Sequence, residues 1–133
     1  MQYAHELEFS VRDYECDLQG VVNNAVYQNY LEHARHEFLR SRGIDFAEVT
    51  AAGINLVVVR AELDYHKSLV SGDRFSVRSR LQRSSRLRFE FHQQILRLPG
   101  ETLMLSARIT GTSLNRQGRP FLPDALQALF DDT

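Results

Sequence analysis

A loop and a long helix are encoded by residues 17–42, which read DLQGVVNNAVYQNYLEHARHEFLRSR. After the loop, apolar side chains recur every three or four residues and form a broad stripe along one side of a helix. Asn23 or Asn24 can cap the start of this helix, and Gly43 suits the left-handed position after its end. We therefore predict a helix over about 24–42, roughly 28 Å long at 1.5 Å per residue. The side chains of the apolar stripe are Val26, Tyr27, Tyr30, Leu31, Ala34 and Phe38.

On both sides of this helix, apolar residues alternate with polar ones, and a period of two is typical of half-buried strands. One such segment, residues 7–11, precedes the helix, and four longer segments follow it. In the first of the four, the odd-numbered residues from Val57 to Tyr65 form the apolar face. In the third, Arg86 and Arg88 fall on the polar face. The four segments are 56–66, 74–82, 86–97 and 101–114.

The order of these elements predicts an α+β fold, in which a five-stranded antiparallel sheet wraps around one long central helix. The later strands are joined by short turns, such as residues 71–73, so neighbouring strands run antiparallel. Each strand has one apolar face, and the long helix is the one element large enough to cover it. Two shorter helices are predicted at 45–52 and 124–130. Because one helix leaves apolar sheet and edge strands uncovered, we expect a homodimer or a homotetramer.

Length and composition are those of one ordinary globular domain. The chain has 133 residues, of which 43% are hydrophobic and 25% charged, so we expect a single domain over residues 1–133. The net charge of −1 disfavours a dedicated nucleic-acid binder. The sequence contains no run of about 18 apolar residues, so we expect no membrane span. The N-terminus lacks the basic and apolar regions of a signal peptide. The single cysteine, Cys16, favours a reducing, cytoplasmic setting.

The loop before the helix carries the first candidate for chemistry. Asp17 stands a few residues before a helix N-terminus, which offers N–H groups without partners and about half a positive charge. Such a terminus can polarise a carbonyl and stabilise an oxyanion, while the carboxylate supplies a base or a nucleophile. Gly20 would let a substrate approach the backbone closely. The alternative is structural, with Asp17 in a turn and Asn24 as an ordinary helix cap.

The same region resembles a known family. Between Val11 and Arg35, the chain is similar to the signature of hotdog-fold acyl-CoA thioesterases of the 4-hydroxybenzoyl-CoA thioesterase type. Looser similarity continues at 65–67, 72–73 and 119–123, so the resemblance covers nearly the whole chain. The fold of that family requires the order of strand, helix and four strands that periodicity predicts above. The residues that carry the signature are Val11, Arg12, Glu15, Asp17, Gly20, Val22, Asn23, Asn24, Tyr27, Tyr30, Glu32, Ala34 and Arg35.

The resemblance implies a thioester hydrolase in which Asp17 is the catalytic carboxylate, acting as general base or as nucleophile. Asn24 matches the position whose backbone N–H polarises the thioester carbonyl. No metal or cofactor is implied, because coenzyme A enters as part of the substrate. Relatives often have histidine in place of Val22 and an aromatic residue in place of Asn24, so neither a histidine-assisted route nor an aromatic substrate is implied. The expected substrate contacts are Gly20, Val22, Asn23, Tyr27, Glu32, Lys67, Arg86 and Arg88.

Other reactive side chains have a structural interpretation beside the functional one. Cys16 adjoins the loop, but no histidine lies close to it in sequence, which favours a packed small residue over a nucleophile. His33 and His36 are spaced as metal ligands on a helix, yet no third ligand follows at a recognisable spacing, so we expect no metal. Glu32 either contributes to the site or pairs within the helix with His36 or Arg35.

Arginine supplies nearly all of the positive charge. Residues 74–97 contain seven arginines and one acid, Glu90, which gives this window a net charge of +6. Guanidinium groups bind phosphate well, so this window is expected to hold the phosphates of coenzyme A or an acidic acyl-carrier protein. A solvated sheet face is the alternative. The phenylalanines of the window lie on the opposite, apolar face, which removes the stacking platform that single-stranded nucleic acid needs.

These observations favour one function and leave others open. We expect the chain to hydrolyse an acyl-CoA and release a carboxylic acid and free coenzyme A. The first alternative is hydrolysis of acyl-carrier-protein thioesters, and the second is a non-catalytic acyl-CoA-binding subunit. A dehydratase on a related fold is disfavoured, because such sites pair a histidine with the acid and no histidine occurs between residues 6 and 32.

Overall fold

The computed structural model describes residues 3–130. Its long helix, α1, spans Asn24–Ser41, and two short helices, α2 and α3, span Phe46–Ala51 and Asp124–Gln127. A 3-10 turn at Asp13–Glu15 lies in the loop before α1. The strands are β1 His5–Ser10, β2 Asn55–Tyr65, β3 Arg74–Arg83, β4 Phe89–Arg97, β5 Thr102–Leu114 and β6 Pro120–Phe121.

The strands form one antiparallel sheet in the order β1-β3-β4-β5-β2, with β6 paired to the end of β5. β1 therefore stands at one edge and β2 at the other. The predicted helix and five antiparallel strands are confirmed. β6 is an addition, and it has only two residues, which is too short for an alternating pattern to reveal.

Local sequence explains where α1 begins and ends. The side chain of Asn23 accepts a hydrogen bond from the N–H of Ala25 at 3.0 Å, so Asn23 is the cap and Asn24 is the first helical residue. After the helix, Gly43 has a φ of 84°, a left-handed conformation that glycine adopts without steric cost. The buried side chains of α1 are Tyr27, Tyr30, Leu31, Ala34, Phe38 and Leu39.

Aromatic rings pack in the core between α1 and the strands β1 and β3. The rings of Phe9 and Phe75 stack with their centroids 5.1 Å apart, and the ring of Tyr30 lies 4.7 Å from that of Phe75. Phe75 is fully buried. Such pairs add stability beyond the apolar area that they remove from water. The inner part of this side is therefore well packed, and a groove of about 600 Å³ lies outside it, between α1 and β1.

The edge strand β2 departs from the predicted alternation. A bulge at Val59 shifts its pairing with β5 by one residue. Because such a shift moves side chains to the other face, the even-numbered Leu56 packs against the core before the bulge and the odd-numbered Leu63 does so after it. Val59, at the bulge, is exposed. The prediction of one apolar face for the odd-numbered residues was therefore wrong at Val57 and Val59 and correct after the bulge.

The turn between β3 and β4 is longer than predicted. The N–H groups of Ser84 and Ser85 donate to the carbonyl of Arg88 at 2.9 and 3.1 Å, and β4 begins only at Phe89. Arg86 and Arg88 therefore lie in an exposed turn. The prediction that they belong to a strand and share its polar face was wrong, because the chain closes on itself here before it joins the sheet.

This turn lies at the opposite end of the sheet from the start of α1. The loop before α1 joins the sheet where β3 begins, since the N–H of Val22 donates to the carbonyl of Leu69 and that of Val11 to the carbonyl of Asp73. From there β3 runs for 10 residues to Arg83, which is roughly 30 Å at 3.3 Å per residue.

The arginines of the predicted basic window are spread along the whole length of β3 and into the turn after it. At the start of β3, Arg74 pairs with Glu8, while Arg78 in the middle of the strand bonds to Glu6 at 2.8 Å and to Glu101 at 2.7 Å. These partners come from other strands and turns, so a count along the sequence overstates the local positive charge.

Within residues 3–130, no helix is both long and apolar enough to cross a bilayer.

Candidate active site

The loop before α1 forms a closed turn whose two ends pair with each other. Cys16 and Val22 form an antiparallel bridge, and the N–H of Asp17 donates to the carbonyl of Val21 at 2.9 Å. Within the turn, the N–H of Gly20 donates to the carbonyl of Asp17 at 3.0 Å, and Gly20 has a φ of 81°, which favours glycine. The turn thus returns the chain to the start of α1.

The side chain of Asp17 is exposed and held by its own turn. Its Oδ1 accepts a hydrogen bond from the N–H of Gln19 at 2.8 Å. Within residues 3–130 this is the one hydrogen bond to the carboxylate, which has two oxygens with several acceptor sites. Asp17 therefore has the structural role in a turn that the sequence suggested. Its carboxylate can still accept a hydrogen bond from water.

The start of α1 lies directly after this turn. The N–H of Asn23 donates to the carbonyl of Glu15 at 3.0 Å, which fastens the helix start to the beginning of the loop. Asn24 is exposed and is the first residue of an 18-residue helix, so its N–H belongs to the group that has no partner inside the helix. The positive end of the helix dipole thus faces solvent in the immediate neighbourhood of the Asp17 turn.

Sequence reasoning missed a contact that holds the loop on the helix. The hydroxyl of Tyr30 donates to Oε1 of Glu15 at 2.8 Å, and the same oxygen accepts from the N–H of Arg12 at 2.8 Å. Burial and this carboxylate raise the pKa of Tyr30, so its hydroxyl stays protonated and remains a donor. Glu15 and Tyr30 both belong to the family signature, but they are 15 positions apart, and no local spacing rule links them.

Two of the expected substrate contacts lie in the core. Val22 is 3% exposed and Tyr27 is 2% exposed. The hydroxyl oxygen of Tyr27 accepts a hydrogen bond from the N–H of Leu69 at 2.9 Å, which ties the segment after β2 to α1. Asn23 and Lys67 are exposed near the same end of the sheet. Direct contact of any of these side chains with a substrate stays a prediction.

The surroundings of Cys16 favour the structural interpretation. Its side chain packs against the core. Burial and the carboxylates of Asp13 and Asp17 raise the pKa of the thiol. A raised pKa leaves less thiolate, and the thiolate is the nucleophilic form.

The two histidines of α1 contact different rings. His33 lies edge-on to Phe9 at 5.8 Å, and His36 packs on Phe46 at 4.1 Å. Among residues 3–130, no group of three side chains that could ligate a metal comes together. Glu32 lies 3.8 Å from the Nε2 of His36, which is the pairing within the helix considered from the sequence.

A cleft separates α1 from the edge strand β2. One part encloses about 180 Å³ and lies towards the end of α1; the other encloses about 230 Å³ and lies nearer its middle. Both parts are bounded by the charged residues Glu32 and Arg35 of α1 and by the apolar Val58 and Ile109 of the sheet. Apolar side chains of α2, α3 and β4 extend the first part, namely Phe46, Leu126, Phe89 and Phe91.

A polar network lies beneath this cleft. The guanidinium of Arg35 donates to Oε1 of Gln93 at 3.1 Å. Nε2 of Gln93 donates in turn to the carbonyl of Leu31 at 3.1 Å and to the hydroxyl of Ser79 at 3.0 Å. Burial lowers the pKa of Arg35 to about 10, although the carboxylate of Glu32 opposes this shift. The period of two places Gln93 between Phe91 and Ile95 on the apolar face, and this polar exception was the signal available in the sequence.

Comparison with known proteins gives the class to which this chain belongs. The sequence pattern of the Thioesterase-like superfamily matches residues 11–130. The chain is 44% identical over 127 residues to the chloroplastic acyl-acyl carrier protein thioesterase ATL2 of Arabidopsis thaliana, covering 95% of this chain and 68% of that protein. It is 35% identical over 77 residues to the long-chain acyl-CoA thioesterase FadM of Escherichia coli, covering 58% of each.

The fold has close counterparts among solved structures. A 1,4-dihydroxy-2-naphthoyl-CoA thioesterase from Synechocystis matches with a TM-score of 0.86 and 23% identity, covering 93% of both chains. This chain belongs to the thioesterase-like superfamily, has the hotdog fold and is a thioester hydrolase. The resemblance found in the sequence is thereby confirmed at the level of the superfamily, and the 4-hydroxybenzoyl-CoA type is an approximation.

Proposed function

We propose that this chain hydrolyses acyl thioesters with Asp17 as the group that activates water and the start of α1 as the site that holds the oxyanion. One observation carries the proposal. The turn closed by the Cys16–Val22 bridge presents an exposed carboxylate in the loop that leads directly into the N-terminus of an 18-residue helix. A carboxylate can take a proton from water, and a helix N-terminus stabilises developing negative charge, so the two central needs of the reaction meet here.

The reaction follows from these two groups. The carboxylate of Asp17 takes a proton from water as the water oxygen attacks the thioester carbon, and the carbonyl oxygen becomes an oxyanion near the N–H of Asn24. When this intermediate collapses, the carbon–sulfur bond breaks, the sulfur leaves as a thiolate that takes up the proton, and the carboxylic acid is released. Direct attack by Asp17 would instead form an anhydride that water then opens. Oxygen-18 in Asp17 after a single turnover in labelled water would establish the anhydride route, because water can open the anhydride at the Asp17 carbonyl, whereas the general-base route never bonds Asp17 to oxygen from water.

Coenzyme A is the carrier that we propose first. Its nucleotide end bears phosphates, and Arg86 and Arg88 are exposed guanidinium groups with the geometry that phosphate prefers. The acyl-CoA thioesterase FadM supports this choice by its similarity to 58% of the chain. The acyl-carrier protein is the second candidate, and the 44% identity to ATL2 over 95% of the chain favours it.

We also propose that the enzyme is a homodimer, either alone or as half of a homotetramer. Arg86 and Arg88 lie at the opposite end of their own sheet from Asp17. A second copy that continues the sheet in antiparallel fashion along β2 would carry its own arginine turn to the end where the first copy has its Asp17 turn. The phosphate role of these arginines therefore depends on the partner subunit. The single cysteine, Cys16, supports a reducing, cytoplasmic setting for this assembly.

The substitution Asp17→Asn tests the catalytic role. We expect thiol release to fall by about 10²–10⁴-fold with an unchanged melting temperature, because the amide keeps the acceptor for Gln19 but cannot take a proton. The matched control is Asp13→Asn, a neighbouring loop acid that accepts a hydrogen bond from Ser71. We expect this control to keep most of the activity. Equal activity of the two variants would contradict the role of Asp17.

A comparison of carriers tests the substrate. The same acyl group is presented on coenzyme A, on an acyl-carrier protein and on a short thiol without phosphates, and thiol release is followed. Replacing Arg86 and Arg88 by glutamine should raise KM for coenzyme A substrates and leave kcat unchanged, because phosphate contacts persist equally in ground and transition states. In the wild type, KM for these substrates should also rise with salt, because salt screens exposed arginines. A faster reaction with the carrier protein would favour the second candidate. An equal change in KM for the thiol without phosphates would remove the phosphate role.

A further inference from the structure

The arginine turn, residues 84–88, is held from inside by a third arginine. The guanidinium of Arg83, the last residue of β3, donates to the carbonyl of Arg86 at 3.1 Å and to that of Ser85 at 3.4 Å. Both bonds come from Nη1, so one nitrogen fastens two consecutive carbonyls of the turn. Arg83 therefore acts on the backbone of the turn, whereas Arg86 and Arg88 are exposed.

The other side of the same guanidinium reaches α3. Its Nη2 donates to Oε1 of Gln127 at 2.5 Å, and its central carbon lies 5.3 Å from the centre of the Phe130 ring. Gln127 is itself fixed, because its Nε2 donates to the carbonyl of Leu122 at 2.7 Å. Arg83 therefore joins the turn to α3, and the planar fork of a guanidinium allows both connections at once.

Two further carbonyls of the turn are bonded as well. That of Leu87 accepts from the hydroxyl of the buried Thr112 at 2.5 Å, and that of Arg88 accepts from the N–H of Ser84 at 2.9 Å. Among residues 3–130, no acceptor is found for the N–H groups of Arg86 and Leu87. The turn thus has its acceptors occupied and keeps donors free, an arrangement that favours an anion as ligand.

The bonds of Arg83 differ from those of the arginines earlier in β3. Arg74 and Arg78 pair with carboxylates, whereas the partners of Arg83 are neutral carbonyls and an amide. In the part of the chain that the structure describes, no carboxylate pairs with Arg83, Arg86 or Arg88. Arg83 therefore fixes the turn without cancelling its positive charge.

We propose that Arg83 is a positioning residue that braces the arginine turn on α3, so that Arg86 and Arg88 meet the phosphates of coenzyme A in one fixed arrangement. A turn that is already ordered loses less conformational entropy on binding, so a brace raises affinity without touching the ligand. The inference rests on the phosphate role proposed for Arg86 and Arg88, and it adds the residue that shapes their turn.

The substitution Arg83→Lys tests this role, because it keeps the positive charge and removes the fork. We expect the Kd of free coenzyme A, measured by isothermal titration calorimetry, to rise about threefold to tenfold, the equivalent of one lost hydrogen bond. The Kd of pantetheine, which has no phosphates, should stay the same. In turnover, KM for an acyl-CoA should rise by a similar factor with kcat unchanged, because phosphate contacts persist equally in ground and transition states.

Arg116→Lys is the matched control. Arg116 is exposed in the turn after β5, at the same end of the sheet, since Gly111 of β5 pairs with Phe89. Among residues 3–130 no hydrogen bond joins its guanidinium to the arginine turn, so we expect no change in Kd. Gln127→Ala keeps every arginine and removes the attachment to α3. It should weaken coenzyme A binding less than Arg83→Lys, and it should add little when the two changes are combined.

Four results would overturn the inference. An unchanged Kd in Arg83→Lys, while Arg86→Gln and Arg88→Gln still weaken binding, would show that the turn needs no brace. Equal weakening for coenzyme A and pantetheine would show a general structural role. If melting by circular dichroism shows that Arg83→Lys does not fold, an unchanged Kd in Gln127→Ala would decide against the brace. Equal binding of coenzyme A and pantetheine by the wild type would contradict the phosphate role itself, yet leave the hydrolytic role of Asp17 intact.

Discussion

The two long sides of α1 are packed in different ways. Towards β1 and β3, the rings of Phe9, Tyr30 and Phe75 lie within 5.5 Å of one another and fill the inner space between helix and sheet. A groove of about 600 Å³ lies outside these rings, between α1 and β1. Towards β2, a cleft next to the exposed Val58 reaches inward to the buried Phe91 and Ile109. In the core, one side of the helix is thus closed by rings and the other side stays open.

The largest difference between the two sides is expected in their contribution to folding. Phe75 is fully buried, so Phe75→Ala removes a ring and leaves a cavity, which should lower the free energy of unfolding by about 3–5 kcal/mol. Val58 is 54% exposed, and Val58→Ala should lower it by about 1 kcal/mol or less. Urea unfolding at one fixed protein concentration measures both. Equal losses would remove the distinction between a closed side and an open side.

A smaller loss is expected where the two sides meet. Gln93 is 1% exposed and serves Arg35, Leu31 and Ser79 at once. Gln93→Leu leaves these polar groups without their partner, at a cost of about 2–3 kcal/mol in the free energy of unfolding. Gln94→Leu is the control, since this neighbour is only half-buried and lies on the other face of β4. If both changes cost the same, the network beneath the cleft contributes no specific stability.

The closed side also positions the loop that carries Asp17. Tyr30→Phe removes the hydroxyl that holds Glu15, which should cost about 1–2 kcal/mol in unfolding. We further expect kcat to fall several-fold with KM nearly unchanged, because the loop that carries Asp17 is loosened while substrate contacts remain. Tyr65→Phe, a change at an exposed tyrosine of β2, is the control. A rise in KM with kcat unchanged would mean that Tyr30 acts through binding instead.

The smallest effect is expected at the exposed ion pairs of the edge strand β2. On β2, Glu62 bonds to Arg108 at 2.6 Å and to Arg60 at 2.7 Å. The hydrogen bond from Arg108 lowers the pKa of Glu62 below its ordinary value of 4.5, so the folded protein binds this proton less tightly than the unfolded chain. The resulting stability is present above that value and is lost as the pH falls through the lowered pKa.

Unfolding followed between pH 7 and pH 3 measures this effect. Glu62→Gln should show a slightly smaller loss of stability on acidification than the wild type, and salt should reduce the difference, since exposed pairs are screened. An identical dependence on pH in both proteins would show that this pair adds nothing.

The sequence predicted the fold well where a pattern is local. The stripe from Tyr27 to Phe38 and the alternation in β3 come from one element each, and they gave the helix and the order of strands correctly. It failed at Val59, where a bulge shifts the register of β2, and at Arg86, where a turn replaces the start of a strand. Both errors concern how two segments pair, and pairing depends on hydrogen bonds between residues far apart in the chain.

In the candidate site, too, the sequence predicted the local features, and the long-range contacts appeared only in the structure. The sequence alone determined that an acid, Asp17, precedes a capped helix start, since both belong to one continuous stretch. Only the tertiary structure decided that Glu15 meets Tyr30, that Arg74 and Arg86 lie at opposite ends of the sheet, and that Arg35 bonds to Gln93 beneath a cleft. The physical reason is that period and capping act over one or two turns of chain. Burial, ion pairing and the sharing of space between elements exist only once the chain has folded.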